Sequence, residues 1–220
     1  MSSPLRARTL TVQRALCLTF LATLLVFALM AQGQTYNVLY AFHGGNDGAL
    51  PAAGLTIDGR GNLYGTTSQG GGEHGGVFQL VHSGDGWSLN PLHVFEGTPD
   101  GIAPQARVIF GPDGTLYGTT VAGGTDNCVG PGCGAVFNLR PPASVCKTVL
   151  CPWTETVIYS FQGGEFDGAR PYSEVTFDRE GNLYGTTQEG GSLPNCVGNS
   201  YKRSTSGGEP ESWDVWISFD

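Results

Sequence analysis

A chain of 220 residues, 40% of them hydrophobic, is large enough to bury a core, but its 35 glycines and 13 prolines are too many for a helical protein. Together with Tyr, Phe, Val and Thr they suit an all-β chain of many short strands joined by tight turns. The formal charge of −8, with no basic cluster, argues against a nucleic-acid partner, because that affinity comes from neutralising phosphates.

Residues 1–33 read as an export signal. Arg6, Arg8 and Arg14 come first, an apolar run follows over 15–31, and the small residues Ala31 and Gly33 permit cleavage before Gln34. An uncleaved membrane anchor is the alternative, since a run of this length is near the lower limit for a spanning helix. Cys17 leaves with a cleaved signal and has no small residue beside it of the kind a lipoprotein needs.

From Gln34 onward the chain repeats itself. Residues 58–67 read Asp-Gly-Arg-Gly-Asn-Leu-Tyr-Gly-Thr-Thr, and the pattern returns at 111–120 and 178–187. A repeat of this size is one supersecondary unit that buries its apolar face against its neighbours. The first repeat, 34–90, opens with an apolar stretch at 36–42 that predicts a half-buried strand. A Gly/Asn/Asp turn at 44–48 follows, then strands at 53–58 and 63–67 around a tight turn, and a further strand at 76–80. Four short strands per unit is the content of a propeller blade.

The second repeat, 91–156, has the same parts at 92–95, 106–110, 116–120 and 135–139. The central tyrosines Tyr64, Tyr117 and Tyr184 lie 53 and then 67 residues apart, and the longer interval carries its extra residues where the cysteines cluster. The third repeat, 157–220, begins normally. After about residue 198 it reads as degenerate or truncated, with its Val-Phe-x-Leu strand missing or altered and Cys196 without a partner.

In an exported chain the close pairs Cys128 with Cys133 and Cys146 with Cys151 read as local disulfides stapling long loops. Zinc is the competing use of the cysteines, but His43, His74, His82 and His93 show no zinc-like spacing.

Each repeat places Asp-Gly after its first strand, at Asp47, Asp100 and Asp167. These carboxylates are candidate calcium ligands on one rim of the array, while the plain reading is that aspartate and glycine form turns. The strands Leu63, Tyr64, Gly65, Thr66, Thr67; Leu116, Tyr117, Gly118, Thr119, Thr120; and Leu183, Tyr184, Gly185, Thr186, Thr187 offer a repeated aromatic and hydroxyl face suited to sugars or peptides. The favoured alternative is packing between neighbouring repeats. A hydrolase or lactonase would need paired carboxylates or a metal, and no glutamate recurs at a shared repeat position. No nucleophile elbow, His-Glu-x-x-His or phosphate loop occurs, so no catalytic residue is assigned.

The pattern Leu-Tyr-x-Phe, Asp-Gly-x-x-Pro, Asp-x-x-Gly-Asn-Leu-Tyr-Gly-Thr-Thr, Gly-x-Val-Phe-x-Leu resembles the GloVer (Gloeo/Verruco) tandem repeat of exported bacterial proteins. The shorter core also looks like the blade motif of NHL and gluconolactonase-type propellers. The resemblance implies a secreted or surface-attached, propeller-like array in a family with no established activity. The chain is accordingly read as one that binds or scaffolds at the cell surface or outside it, with an unspecified surface glycan or protein as partner. Three repeats are fewer than such arrays carry, which leaves either a fragment of a longer array or self-association through open strand edges.

Overall fold

The computed structural model describes residues 36–190 except 71, 85, 126, 129, 143–152 and 165–166, together with the backbone of the strand Asp214–Ile217. Residues Met1–Val38 and Leu39–Asp220 are separate units, and among the described residues every strand belongs to the second. Among the described residues the only helical turn is 3-10, at Gly45–Asp47.

The first sheet holds β1 (Thr56–Ile57), β2 (Leu63–Thr67), β3 (Gly76–Ser83) and β4 (Gly86–Val94), in that order and antiparallel throughout. The second repeats the plan with β5 (Ile109–Phe110), β6 (Leu116–Thr120), β7 (Ala135–Arg140) and β8 (Thr154–Ser160). In the third repeat β9 (Gly168–Ala169) pairs with β12 (Glu189–Gly190). There β10 (Thr176–Phe177), β11 (Leu183–Thr187) and β13 (Asp214–Ile217) form a three-stranded sheet in the order β10-β11-β13. The chain is all-β, as its composition predicts, and among the described residues its sheets do not close into a barrel.

The sequence repeat and the sheet are offset by one strand. The stretches at 92–95 and 157–161, read from sequence as the first strands of repeats two and three, are the ends of β4 and β8, the fourth strands of the preceding sheets. Residues 36–42 are the equivalent stretch of repeat one and form no strand. The expectation of a strand there is corrected for a physical reason: a strand needs a ladder partner, and among the described residues no sheet precedes the first.

Each signature turn is closed by its own aspartate. Asp58 Oδ1 accepts the backbone N–H groups of Arg60 and Asn62, each at 2.9 Å, and Oδ2 accepts from Asn62 Nδ2 at 2.8 Å and the Tyr64 hydroxyl at 3.1 Å. Asp178 repeats this with Glu180, Asn182 and Tyr184. Repeat two has glycine at 111 instead, and Asp113, two residues later, takes the bonds from Thr115 and Tyr117. An aspartate turn of this kind fixes the hairpin without help from the core.

The strand glycines make room for aromatic rings on the neighbouring strand. Gly65 lies opposite Phe78 and Gly118 opposite Phe137, and a Cβ at either glycine would sit 2.6 Å from the ring Cζ. The second threonines, Thr67, Thr120 and Thr187, are buried against Gly48, Gly101 and Gly168 and leave those glycines no room for a side chain. The Asp-Gly and Thr-Thr motifs are therefore two halves of one contact.

Two clusters form the core. The first gathers Tyr64, Leu92, Phe95, Val108, Leu116 and Phe137 between the first and second sheets; the second gathers Cys133, Val136, Phe161, Ala169, Val175 and Leu183 between the second and third repeats. Threonine hydroxyls bridge the same seams: Thr66 donates to the Ala106 carbonyl and Thr119 to that of Ser173, both at 3.1 Å.

Candidate functional site

After the phenylalanine at 42, 95 or 161, each repeat makes a loop held by its Asp-Gly aspartate. Asp47 Oδ2 accepts the His43 N–H at 2.9 Å and the Tyr40 hydroxyl at 3.2 Å. Asp167 Oδ2 accepts the Gln162 N–H at 2.6 Å, and Tyr159 hydrogen-bonds to it; burial first, and then Asp167, push the tyrosine up to about 12. In repeat two Asp100 Oδ2 accepts the Glu96 N–H at 2.8 Å, but the partner two residues before the phenylalanine is His93, whose Nε2 lies 3.1 and 3.2 Å from the carboxylate oxygens. Tyr40, His93 and Tyr159 occupy one repeat position.

That exchange opens a place for a third group. Glu155, the second residue of β8, brings its carboxylate to His93 and Asp100, and the three donor atoms lie within 4.8 Å of one another. Burial raises the Glu155 carboxyl to about 7, the Asp100 charge adds to this, and His93 opposes it. Glu155 Oε1 is buried without a hydrogen-bond partner. Two carboxyls and an imidazole so placed can share a proton, serve as a general acid and base, or offer one nitrogen and two oxygens to a divalent cation. His93 also lines a concavity with Asn46, Asp47, Thr67 and Pro91, where the loop of repeat one meets the first sheet.

The candidate calcium ligands Asp47, Asp100 and Asp167 each hold the loop of their own repeat, the turn-forming role favoured for them. Among the described residues the only cluster of three His, Cys, Asp or Glu side chains at ligand spacing is His93, Asp100 and Glu155, and Asp47 and Asp167 each stay in their own loop.

Two of the signature tyrosines, Tyr64 and Tyr117, lie along the seams. Tyr64 is 4% exposed, its ring stands edge-on to Phe110 at 5.1 Å, and its hydroxyl receives a bond from Gln79 Nε2 at 2.7 Å. Burial, followed by the Asp58 charge, pushes Tyr64 up to about 12. Tyr117 meets Phe177 in the same edge-on manner at 4.9 Å. The same residues thus recur in the same structural duties along the chain.

A family model described as the Gloeobacter/Verrucomicrobia repeat matches residues 24–220. The chain belongs to this repeat family. Comparison with curated proteins yields no match. In this Gloeobacter/Verrucomicrobia repeat protein Cys128 and Cys133 form a disulfide beside the Gly163 loop, and Cys133 is fully buried. The pair Cys146 and Cys151 lies outside the described residues.

Sequence alone does not reveal the His93, Asp100 and Glu155 cluster, because Glu155 is 55 residues beyond Asp100 and occurs in one repeat only. The available signal was the histidine at a position that is tyrosine in the other two repeats.

Proposed function

We propose that this chain is an exported, non-catalytic repeat protein that binds or scaffolds at the cell surface or outside the cell, with a surface glycan or protein as its partner. One observation carries the reading: the polar groups that recur in every repeat, the loop aspartates, the turn aspartates and the first threonines, are engaged in holding turns, loops and seams. Repetition here serves architecture, and an array of like units offers a partner an extended surface. The concavity beside Asp47 and His93 supplies a polar edge for such contacts.

The test is retention of the chain from Gln34 onward on bacterial envelope polysaccharide and envelope protein, alongside turnover of sugar-derived lactones. Retention without turnover is the expected result. Loss of both would discard the binding reading.

A second reading, a hydrolase or lactonase acting on a sugar-derived substrate, is favoured by the His93, Asp100 and Glu155 cluster alone. A carboxyl raised to about 7 is suited to protonate a leaving group near neutral pH. Lactone turnover that disappears in Glu155→Gln while envelope retention persists would establish it over the first. For the loops of Asp47, Asp100 and Asp167, melting in calcium and in EDTA decides whether the cation is taken up. An unchanged midpoint removes calcium from consideration.

A further inference from the structure

Residues 38–42 read Val-Leu-Tyr-Ala-Phe, which aligns without gaps with Pro-Leu-His-Val-Phe at 91–95 and Val-Ile-Tyr-Ser-Phe at 157–161. The second and third of these stretches end the fourth strands of the first and second sheets, and they pair with β3 and β7 in one shared register. Val77 faces His93 and Phe78 faces Pro91; Val136 faces Tyr159 and Phe137 faces Val157. Both ladders are irregular at the same step, so that Leu92 and Ile158 are passed over.

The third sheet presents the same template. In β13, Val215 lies opposite Thr186 and Trp216 opposite Gly185, as Val77 and Phe78 lie opposite Thr66 and Gly65. Among the described residues no strand pairs with the far edge of β13. Residues 36–42 form no ladder either, and they hold Tyr36, Val38 and Leu39 at 91%, 56% and 39% exposure. An apolar strand sequence left in water and a bare strand edge are both liabilities that pairing removes.

The end of this stretch is already positioned. Phe42 packs edge-on against Phe78 at 5.0 Å, as Phe95 does against Phe137 at 5.1 Å, and Tyr40 clamps Asp47 as His93 clamps Asp100. At His93 and Phe95 this same anchoring accompanies a strand paired to the sheet before it.

We propose that residues 36–42 of one copy supply the fourth strand of the third sheet of a second copy, antiparallel to β13. Ala41 then faces Asp214, Tyr40 faces Val215, Val38 faces Trp216, and Leu39 is passed over. The interface is head-to-tail, so association builds a closed ring when its rotation closes and an open filament when it does not. It is independent of any ligand the array binds.

The test uses the chain from Gln34 onward in two single variants, Ala41→Cys and Asp214→Cys, mixed under mild oxidation beside unmixed controls and the unsubstituted chain. The expected result is a cross-linked pair that only the mixture yields at high level. Light scattering of the unsubstituted chain should show mass rising at least about twofold with concentration. Tyr40→Pro removes the backbone donor of the residue that faces Val215 and should hold the mass at one copy, whereas Tyr40→Phe, which loses only the hydroxyl bond to Asp47, should still associate. A single-copy mass at every concentration overturns the proposal, as does an Ala41→Cys, Asp214→Cys double variant that cross-links only within itself at high dilution.

Discussion

The two seams of the molecule are built on one backbone plan and held by different means. Between the first and second sheets the contact is bulky: Phe95, Phe137, Leu92, Leu116 and Leu139 are almost wholly buried, with Tyr64, Phe110 and Trp153 stacked beside them. Between the second and third repeats the buried residues are smaller, and a disulfide stands among them, with Cys133 at 0% exposure. The clamp on the loop aspartate differs too, a histidine with a half-buried glutamate in the first seam and a tyrosine in the second. Repetition therefore fixes turns, glycines and register, while side-chain volume and charge are set one position at a time.

The largest expected effect is in the bulky seam. Phe137 meets Phe95 edge-on and covers the space a side chain at Gly118 would need, so Phe137→Ala opens a cavity from two sides at once. It should lower unfolding free energy by about 3–5 kcal/mol in a urea titration, which would leave a small domain largely unfolded. A loss under about 1 kcal/mol would mean that the first seam collapses around the gap and is not the rigid half of the comparison.

Next comes the covalent seam. Cysteines five residues apart close a short loop, so reducing Cys128–Cys133 should cost about 2 kcal/mol by the chain-entropy model. Because Cys133 also packs beside Val136 and Phe161, Cys133→Ala should lose somewhat more than Cys128→Ser. Equal losses would show that closure alone, without packing, sustains this seam.

The charged clamp predicts a pH signature that the tyrosine clamp lacks. The Glu155 carboxyl stands at about 7 in the folded chain against an ordinary 4.5, so the unfolded state releases its proton first. Stability is then fully present below pH 4.5 and lost as pH rises through 7, by roughly 1–2 kcal/mol once partial exposure is allowed for. Glu155→Gln should flatten the melting temperature across that window, with Asp100 and His93 as the neighbours that could restore a slope. At the acid end the sign reverses. Burial opposes ionisation of Asp178, but bonds from Asn182, Tyr184 and the Glu180 N–H hold it down to about 2, so that contribution is present above the ordinary carboxyl range and lost as pH falls through 2.

Much of this frame is legible in the chain itself. Asp-x-x-Gly-Asn-Leu-Tyr encodes a complete local hydrogen-bond set, so the turns before the strands Leu63–Thr67 and Leu183–Thr187 follow from it directly, while before Leu116–Thr120 Asp113 takes the bonds from Thr115 and Tyr117. What sequence order hides is the offset by which 92–95 and 157–161 belong to the preceding sheet, since a ladder partner is a matter of space. The strand expected to be missing or altered in repeat three is Asp214–Ile217, where Val-Trp stands for Val-Phe after a long interval. The His93, Asp100 and Glu155 cluster was hidden for the same reason: its members meet only when the fourth strand of one sheet comes beside that of the next, as the bond from the Trp153 N–H to the Leu92 carbonyl at 3.0 Å records.

The smallest predicted effect lies in backbone strain that both seams share. Leu50, Ala103 and Arg170, each just before a proline, have φ of 54°, 55° and 56°, a region that residues with a Cβ seldom occupy. The chain is driven there because the next residue back pairs with the strand end: the Ile102 N–H donates to the Ala122 carbonyl at 2.8 Å, and the Ala49 N–H to that of Gln69 at 2.7 Å. Glycine takes this conformation without the steric penalty, so Ala103→Gly should raise unfolding free energy by about 0.5 kcal/mol, the relief of roughly 1 kcal/mol being partly offset by a freer unfolded chain. Arg170→Gly should gain less, because Arg170 pairs with Glu189 at 3.1 Å on a half-exposed surface, a contact worth under about 1 kcal/mol. If Arg170→Gly instead gains as much as Ala103→Gly, that ion pair contributes nothing to stability.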